Sequence, residues 1–370
     1  MLRESVYLCC LAFCLTLWGC MSGHEAADVE VVNIVHNQQE NLPVEDFISD
    51  FKFIALEDGD AESLLSQPRK AIVCNNLIYV SDSRKLVAYD MSGHSVFLLS
   101  RYGRGPEEYL GLLDFIVDNG FIYIMDQNKK LLKYALNGDF VASSDLEFFP
   151  ASCYPVADDR MIVLSAYQSD GPKFHVLENE TLKEECAFGE VNEPEITWRH
   201  FRGQSNYFEF RKRLLFHEPI NNVIYQLTED AILPYKILDL WGHNIPASFY
   251  DIRFSNVMEM NLYVNDADWC AGTPVYAETE RNLIFTYRDK MNYMMCRHDK
   301  KTGTAVQSDT LLFRPLQTAI SIGNVLFGFW REDDALLMFS AHDIKPEIKE
   351  SVLRVAEEFD GNVVCIGRLK

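Results

Sequence analysis

The segment 101–109, which reads RYGRGPEEY, gathers charged side chains around two glycines and a proline. Arg101, Arg104 and Glu107 could bind a polar ligand together, and Tyr109 could add an aromatic surface, because concave sites need only a few polar groups. The alternative is a tight corner between two folded elements, with solvated charges and a packed Tyr109. A phosphate-binding loop is excluded, since no Gly-Lys-Ser/Thr triplet follows the glycines.

The segment 198–202 is the richest polar and aromatic cluster of the chain. An aromatic face with cationic neighbours suits a sugar ring or an acidic group. The candidates for ligand contact here are Trp198, Arg199, His200 and Arg202. Trp269, which follows Asp266 and Asp268, is a further candidate, and two carboxylates beside an aromatic residue would suit a glycosidase. The competing interpretation is a pair of loops that pack on the rim of the fold.

Asp82 and Asp126 each end an apolar run and precede a polar turn. They could belong to a ring of carboxylates around a cation, but aspartate in this position more often caps backbone N–H groups of the turn. The sequence has no calcium-loop pattern and no paired histidine spacing for zinc. We therefore predict neither a metal site nor a cofactor. No recognised nucleophile motif occurs, so catalytic residues remain unassigned.

The composition limits the class of partner. The chain has 370 residues with 48% hydrophobic content, enough for a large core. Its formal net charge is -21, and a surface this negative repels phosphate backbones, which argues against nucleic acid as a partner. Six cysteines beyond the N-terminal region stand singly without a CxxC pair, and their pairing is left open: Cys74, Cys153, Cys186, Cys270, Cys296 and Cys365.

The N-terminus predicts export. Residues 6–18 form an apolar run that is too short to span a bilayer core of about 30 Å as a helix, so we interpret residues 1–20 as a signal peptide. Gly19 directly before Cys20, with Leu17 three positions before that cysteine, resembles the bacterial lipoprotein box, in which the cysteine is lipidated. The alternative is an ordinary secretory signal that is cleaved elsewhere. Residues 21–41 are polar and are predicted to be a tether.

An internal repeat identifies the elements that would position these residues. Four residues of one segment recur 44 or 45 positions later: Tyr79, Asp82, Tyr89 and Gly93 as Tyr123, Asp126, Tyr134 and Gly138. Each repeat unit reads as two apolar strands with a polar turn between them and a glycine turn after them. A strand repeat of roughly 40–50 residues indicates the blade of a β-propeller.

The same skeleton continues along the chain and predicts six blades. Two clear blades span about 68–105 and 112–147, and later strand pairs are predicted at 160–164 with 174–177, 214–216 with 222–227, 282–287 with 293–296, and 323–329 with 335–339. A seventh blade remains open from spacing alone. We expect the unassigned strands Phe51–Leu56 and Val363–Leu369 to meet in the blade that closes the ring, because an open ring would leave two sheet edges unpaired. Apolar residues at helical spacing predict a helix over 346–360.

The order of these features resembles the six-bladed β-propeller lipoproteins of gut Bacteroidetes, which are related in shape to NHL and TolB-type propellers. The features are the lipobox with Cys20, the strand 51–56, the linker Gly103–Tyr109, the blade repeat, and the C-terminal strand that ends in IGRLK. The resemblance covers residues 42–370 and implies an all-β, six-bladed propeller. The family's linker usually reads G-x-G-P-G-E-Y, and here Glu107 stands in place of the third glycine. The family implies no activity that could be transferred to single residues.

The sequence therefore favours a membrane-anchored binding or scaffold module of the cell envelope, in the outer membrane and facing the periplasm or the exterior. Its ligand would be a carbohydrate, a peptide or an envelope protein, held at the axial face where the loops of all blades converge. The alternative is a carbohydrate-active enzyme, a glycosidase or lyase, with its site at the propeller mouth. Fold alone does not decide between them, since function depends on the site.

Overall fold

A computed structural model describes residues 29–57, 65, 68–166, 171–189, 207–218, 220–290, 292–311, 314–315, 326–327, 335–340 and 362–370. The chain divides into a short unit, Met1–Glu30, and a large unit, Val31–Lys370. Only residues 29 and 30 of the short unit are described. The large unit is all-β apart from a few helical turns and forms a six-bladed β-propeller.

Two strands precede the first blade, β1 (Glu30–Ile34) and β2 (Ile48–Ala55), with a 3-10 turn at Val44–Asp46 between them. Blades 1 to 3 are each an antiparallel meander of four strands. Their bounds are β3 (Lys70–Cys74), β4 (Leu77–Ser81), β5 (Leu86–Asp90) and β6 (Ser95–Leu99) in blade 1, β7 (Leu112–Asp118), β8 (Phe121–Asp126), β9 (Lys130–Ala135) and β10 (Phe140–Asp145) in blade 2, and β11 (Pro150–Val156), β12 (Arg160–Ser165), β13 (Phe174–Glu178) and β14 (Glu184–Phe188) in blade 3.

Blades 4 and 5 have the same strand order. Their bounds are β15 (Tyr207–Phe210), β16 (Arg213–His217), β17 (Val223–Leu227) and β18 (Ile232–Leu240) in blade 4, and β19 (Cys270–Glu278), β20 (Asn282–Asp289), β21 (Asn292–Asp299) and β22 (Ala305–Ser308) in blade 5. Between blades 4 and 5 lie a 3-10 helix, Ala247–Asp251, and one α-helix, α1 (Val257–Asp266). A small hairpin of β23 (Thr310–Leu311) and β24 (Arg314–Pro315) follows blade 5.

Blade 6 closes the ring by joining the two ends of the chain. It contains β25 (Leu326–Phe327), β26 (Ala335–Ser340) and β27 (Asn362–Leu369), and β2 completes it as the outer strand. Phe53 lies opposite Cys365 and Ile54 opposite Val364, so the predicted meeting of the two terminal strands is confirmed. The side chains of this blade pack with those of blade 1 in one continuous core, which stabilises the closed ring.

The repeat predicted from the sequence is confirmed in blades 1 and 2. The four repeated tyrosines are all fully buried: Tyr79, Tyr89, Tyr123 and Tyr134. Gly93 and Gly138 adopt positive φ in the turns between the last two strands of each blade. A side chain on Gly93 would also collide with the backbone of Ala55, since a Cβ there would lie 1.9 Å from its carbonyl oxygen. Glycine is therefore required where blade 1 meets the outer strand of the closing blade.

The N-terminal segment differs from the predicted tether. Residues 30–34 form β1, which lies beside β18 as a fifth strand of blade 4, and Ile34 is buried. Asn37 and Gln39 then hydrogen-bond to Gln307 of blade 5. The prediction included these residues in the tether because an edge strand with one buried face shows only a short apolar alternation in the sequence. The predicted helix over 346–360 lies outside the described residues.

Within the described part of the chain, no helix combines the length and the apolar character that a membrane span requires. The six cysteines after the N-terminal region are all described, and all are free thiols: Cys74, Cys153, Cys186, Cys270, Cys296 and Cys365. Burial raises the pKa of the Cys296 and Cys365 thiols to about 12. These two thiols therefore stay protonated at neutral pH and act as small apolar core residues.

Candidate functional site

The strand order places the connections of every blade on two opposite faces. Each blade starts at its inner strand and runs as an antiparallel meander, so the connection between its second and third strands and the connection to the next blade lie on the same face. By strand order, this face receives the connections between successive blades, of which 100–111 and 241–269 are long and are described throughout. The opposite face receives the turns between the first two and between the last two strands of a blade, together with the connection 35–47 that leads from β1 to the start of β2. We name the first face the long-connection face.

The connection 100–111 crosses the long-connection face as a fixed corner between blades 1 and 2. Tyr109 is fully buried beneath it. Its hydroxyl donates to the carbonyl oxygen of Arg84 at 2.7 Å and accepts the backbone N–H of Arg101 at 3.3 Å. Burial raises the pKa of Tyr109 to about 12, so the hydroxyl remains a donor at neutral pH. Tyr109 therefore positions the corner from below, where a ligand on the face does not reach it.

Lys130 holds the same corner from the side of blade 2. Its Nζ donates to three backbone oxygens of the connection, those of Gly105 at 3.2 Å, Pro106 at 2.7 Å and Glu108 at 3.2 Å. The hydroxyl of Tyr134 donates to the carbonyl oxygen of Glu107 at 2.8 Å. The carbonyl groups of residues 105–108 therefore all accept hydrogen bonds from blade 2, which fixes this part of the corner.

The glycines of the corner make room for Glu108. The Glu108 carboxylate turns back and accepts the backbone N–H of Gly105 at 2.7 Å. A Cβ on Gly103 would lie 2.0 Å from the same carboxylate, so a larger residue there would displace it. This contact is the physical reason for the glycine pattern that the sequence analysis singled out.

Three of the four predicted ligand residues of this connection are exposed on the long-connection face, namely Arg101, Arg104 and Glu107. Tyr102 beside them is exposed as well, and the Arg84 guanidinium lies 5.3 Å from the centre of its ring. The corner thus presents charged groups and one aromatic surface from a rigid base. This arrangement can bind a polar ligand without first ordering a loop.

The repeated aspartates cap backbone groups, as one of the two sequence interpretations held. Asp82 accepts the N–H groups of Arg84 and Lys85 at 2.7 and 2.9 Å, within its own turn. Asp126 instead reaches the end of the corner and accepts the N–H groups of Leu110 and Gly111, both at 2.9 Å. Both carboxylates are buried and accept these bonds through Oδ1, so they stabilise the loops of the long-connection face.

A chain of polar contacts joins the inner strands of blades 1 to 3. Lys70 on β3 forms an ion pair of 2.7 Å with Asp114 on β7. The other carboxylate oxygen of Asp114 accepts the backbone N–H of Cys153 on β11 at 2.9 Å. Burial raises the pKa of Cys153 well above the usual value, which makes this thiol a poor nucleophile. The contacts connect neighbouring blades and do not indicate a catalytic centre.

The connection 241–269 adds a layer of its own to the long-connection face. Phe249 of the 3-10 helix is fully buried and forms a small core with Met260 and Val264 of α1. Trp269 packs with its ring centre 5.9 Å from that of Phe249 and 5.8 Å from that of Tyr263. Trp269 therefore packs within this layer, as one of the two interpretations from the sequence predicted. The cluster predicted from Trp198, Arg199, His200 and Arg202 lies outside the described residues.

Arg288 was missed by the sequence analysis. It lies near the end of β20, below α1, and only 3% of its surface is exposed. Its Nη1 donates to the side-chain oxygen of Asn261 at 2.5 Å. The signal in the sequence is an arginine directly after the mainly apolar segment 283–287. The sequence alone shows neither its burial nor its partners.

The family profile of DUF4934, a domain of unknown function, matches residues 29–368 of the chain. The chain has no significant match among the curated proteins. Among solved structures it resembles a protein of Bacteroides fragilis NCTC 9343 that is inferred to be exported, with a TM-score of 0.68 and 18% identity over 92% of this chain and 99% of that one.

Two further likenesses are remote. BamB from Moraxella catarrhalis has a TM-score of 0.41 and 11% identity over 78% of this chain and 75% of that one. The Pan2 WD40 domain of Neurospora crassa has a TM-score of 0.40 and 9% identity over 81% and 74%.

Proposed function

We propose that this chain, which belongs to the DUF4934 family, is a lipid-anchored extracytoplasmic propeller that binds its ligand on the long-connection face. The observation that carries the proposal is the fixed corner 100–111 on this face, which presents exposed Arg101, Arg104 and Glu107 from a rigid base. Binding residues of proteins lie preferentially in loops that a rigid scaffold positions. The likeness to NHL and TolB-type lipoprotein propellers is part of this proposal.

The predicted ligand is a carbohydrate, a peptide or a protein of the envelope. Exposed Arg101 and Arg104 can bind acidic groups, and exposed Tyr102 offers a surface on which a sugar or a planar group can stack. Glu107 beside them can accept hydrogen bonds from hydroxyl or amide groups. The rigid corner below these residues reduces the entropy lost on binding.

The proposed anchor would keep the ring close to the membrane. The lipobox-like Gly19-Cys20 and the inferred export of the Bacteroides fragilis relative support this location. The ordered sheet begins at β1, so ten residue steps separate Cys20 from Glu30. An extended chain of that length reaches at most about 35 Å. The propeller would therefore act on ligands at or near the membrane surface.

We expect Cys20→Ala to release the protein from the membrane fraction, because the acyl chains on this residue would supply the anchor. The measurement is fractionation of cells followed by mass analysis of the mature N-terminus. Cys14→Ala, the same change within the apolar run, is the matched control and should leave the protein in the membrane fraction. If the Cys20→Ala protein stayed in the membrane fraction, and neither it nor the native protein carried an acyl group, the lipid anchor would be contradicted.

Ligand binding is tested by a thermal-shift screen of the chain from residue 21 onward. The panel contains neutral and acidic glycans, peptidoglycan fragments, peptides and divalent cations. A ligand present at 100 times its dissociation constant should stabilise the protein by about 2.7 kcal/mol. A hit that the protein does not turn over supports a binding module, whereas turnover would favour the carbohydrate-active enzyme. A silent panel would contradict small-ligand binding and direct the search to protein partners by crosslinking.

A further inference from the structure

The Arg288 guanidinium is a buried positive charge without a carboxylate partner among the described residues. Its Nη1 is satisfied by Asn261, but Nε and Nη2 are both buried and have no hydrogen-bond partner in the part of the chain that the structure describes. Asp268, near the end of the same connection, is engaged elsewhere, since it pairs with Lys290 at 2.9 Å. Buried charges in proteins are normally paired, because removing them from water costs several kcal/mol per ion. A buried guanidinium with two free donors is suited to bind an anion.

The two unsatisfied nitrogens of Arg288 are the pair that binds a carboxylate side-on. A second arginine of the same chain shows this geometry. Arg211 uses Nε and Nη2 to donate to the two carboxylate oxygens of Glu280, with 2.6 Å between Nε and Oε1. The parallel N–H groups of this edge match two oxygens of a carboxylate or a phosphate. Arg288 presents the same edge without an occupant.

The surroundings of Arg288 suit a specific anion better than a solvated one. Alternation along the strands places Arg288 on the same sheet face as Ala271 and Tyr293, with which it pairs across β19 and β21. Burial lowers the pKa of Arg288 from its usual value, and among the described residues only the neighbouring Tyr293 counteracts this. An oxyanion would restore the missing charge and satisfy both free donors at once.

We propose that Arg288 is the oxyanion-binding residue of the long-connection face and holds a carboxylate or a phosphate group through Nε and Nη2. This inference rests on the proposed function and specifies the ligand class, an anionic sugar or another small oxyanion. Because both nitrogens are buried beneath α1, the helix has to move for the anion to enter. The bond between Arg288 and Asn261 then links the site to α1, so ligand binding and the position of the helix are coupled.

The experiment uses the chain from residue 21 onward and measures its melting temperature in sodium glucuronate and in inorganic phosphate. Glucose serves as the uncharged counterpart of glucuronate, and sodium chloride keeps the ionic strength constant. We expect a rise of about 4 °C for a probe at roughly 100 times its dissociation constant. The two probes distinguish a carboxylate ligand from a phosphate ligand, and glucose should give no shift.

Arg288→Met should abolish this rise, and without a probe it should melt at the same temperature as the native protein or higher, because it removes an unpaired buried charge. Arg211→Met is the matched control, since that arginine is exposed and already paired with Glu280, and it should respond to the probes like the native protein. Loss of the probe response without a lower melting temperature would identify a binding role for Arg288, because loss of a structural arginine would lower the melting temperature.

Two outcomes would overturn the inference. One is an equal response of the native protein and Arg288→Met to both probes, and the other is the absence of any response of the native protein at 50 mM probe. An uncharged glycan or a peptide that stabilises both proteins equally would keep the proposed function and remove only the oxyanion site. If glucuronate or phosphate stabilises the native protein but not Arg288→Met, and no other compound of the panel stabilises either protein, both the proposed function and the oxyanion site are supported.

Discussion

Replacing Val364 by aspartate should lower the free energy of unfolding by about 4–5 kcal/mol or prevent folding altogether. Val364 lies on β27, is 0% exposed, and pairs with Ile54 of β2 on one side and Met338 of β26 on the other. Its side chain belongs to the core shared by the closing blade and blade 1. A buried carboxyl group there would cost the apolar packing and would also separate the strands that hold the ring closed.

The same substitution at Val96 is the control. Val96 lies on β6, the outer strand of blade 1, and is 52% exposed, so Val96→Asp should change the free energy of unfolding by less than about 0.5 kcal/mol. Urea unfolding followed by circular dichroism measures both variants. A loss below 1 kcal/mol in Val364→Asp would show that the pairing of β2 with β27 does not hold the ring together.

Replacing Asp126 by alanine should lower the free energy of unfolding by about 2–5 kcal/mol, because two backbone N–H groups would lose a charged acceptor. These groups belong to Leu110 and Gly111, at the end of the corner that presents Arg101 and Arg104. The corner should therefore loosen, and a ligand that contacts it should bind more weakly as well. Urea unfolding and titration with the strongest ligand of the screen measure the two effects.

Two further variants make this test specific. Asp126→Asn keeps one side-chain oxygen as an acceptor, so it should lose less than half of the stability that Asp126→Ala loses. Asp145→Ala is the matched control, since Asp145 is exposed on the outer strand of the same blade. If Asp126→Ala retained full stability, the carboxylate would not hold the corner, and the rigid presentation of the face would be contradicted.

The fold could be predicted from the sequence where local pattern determines structure. The spacing of Tyr79 and Tyr123, and the glycine turns at 93 and 138, reflect contacts within single blades, and blades 1 and 2 share them. The closing of the ring followed from two unassigned strands and the cost of unpaired edges. Such inferences need no knowledge of distant contacts.

Helix α1 carried a readable signal that the sequence analysis did not use. Asn256 accepts the N–H of Glu259 at 2.9 Å, and the Glu259 carboxylate accepts the N–H of Ser255 at 2.7 Å. This reciprocal arrangement resembles the capping box and begins the helix. The apolar period behind it is weak, since Met258 and Leu262 are exposed and, among the side chains of α1 whose burial is described, only Met260 and Val264 are buried. The amphipathic pattern therefore did not reveal the helix.

The candidate site could be predicted only in part, for a physical reason. Exposed charges such as Arg101 and Arg104 belong to one short segment, so their proximity is visible in the sequence. The role of Arg288 depends on the neighbours that bury it and on the partner it lacks, and both follow from contacts between distant parts of the chain. Burial and unsatisfied hydrogen bonds are properties of the folded protein.

The central claim, that the long-connection face binds the ligand, is tested most directly by charge reversal on the two faces. One variant carries Arg101→Glu and Arg104→Glu, and the other carries Lys212→Glu and Lys301→Glu in short turns of the opposite face. The measurement is the dissociation constant of the ligand that stabilises the native protein most. We expect at least a tenfold weakening, about 1.4 kcal/mol, in the first variant and no change in the second. Weakening in the second variant with full affinity in the first would contradict the account.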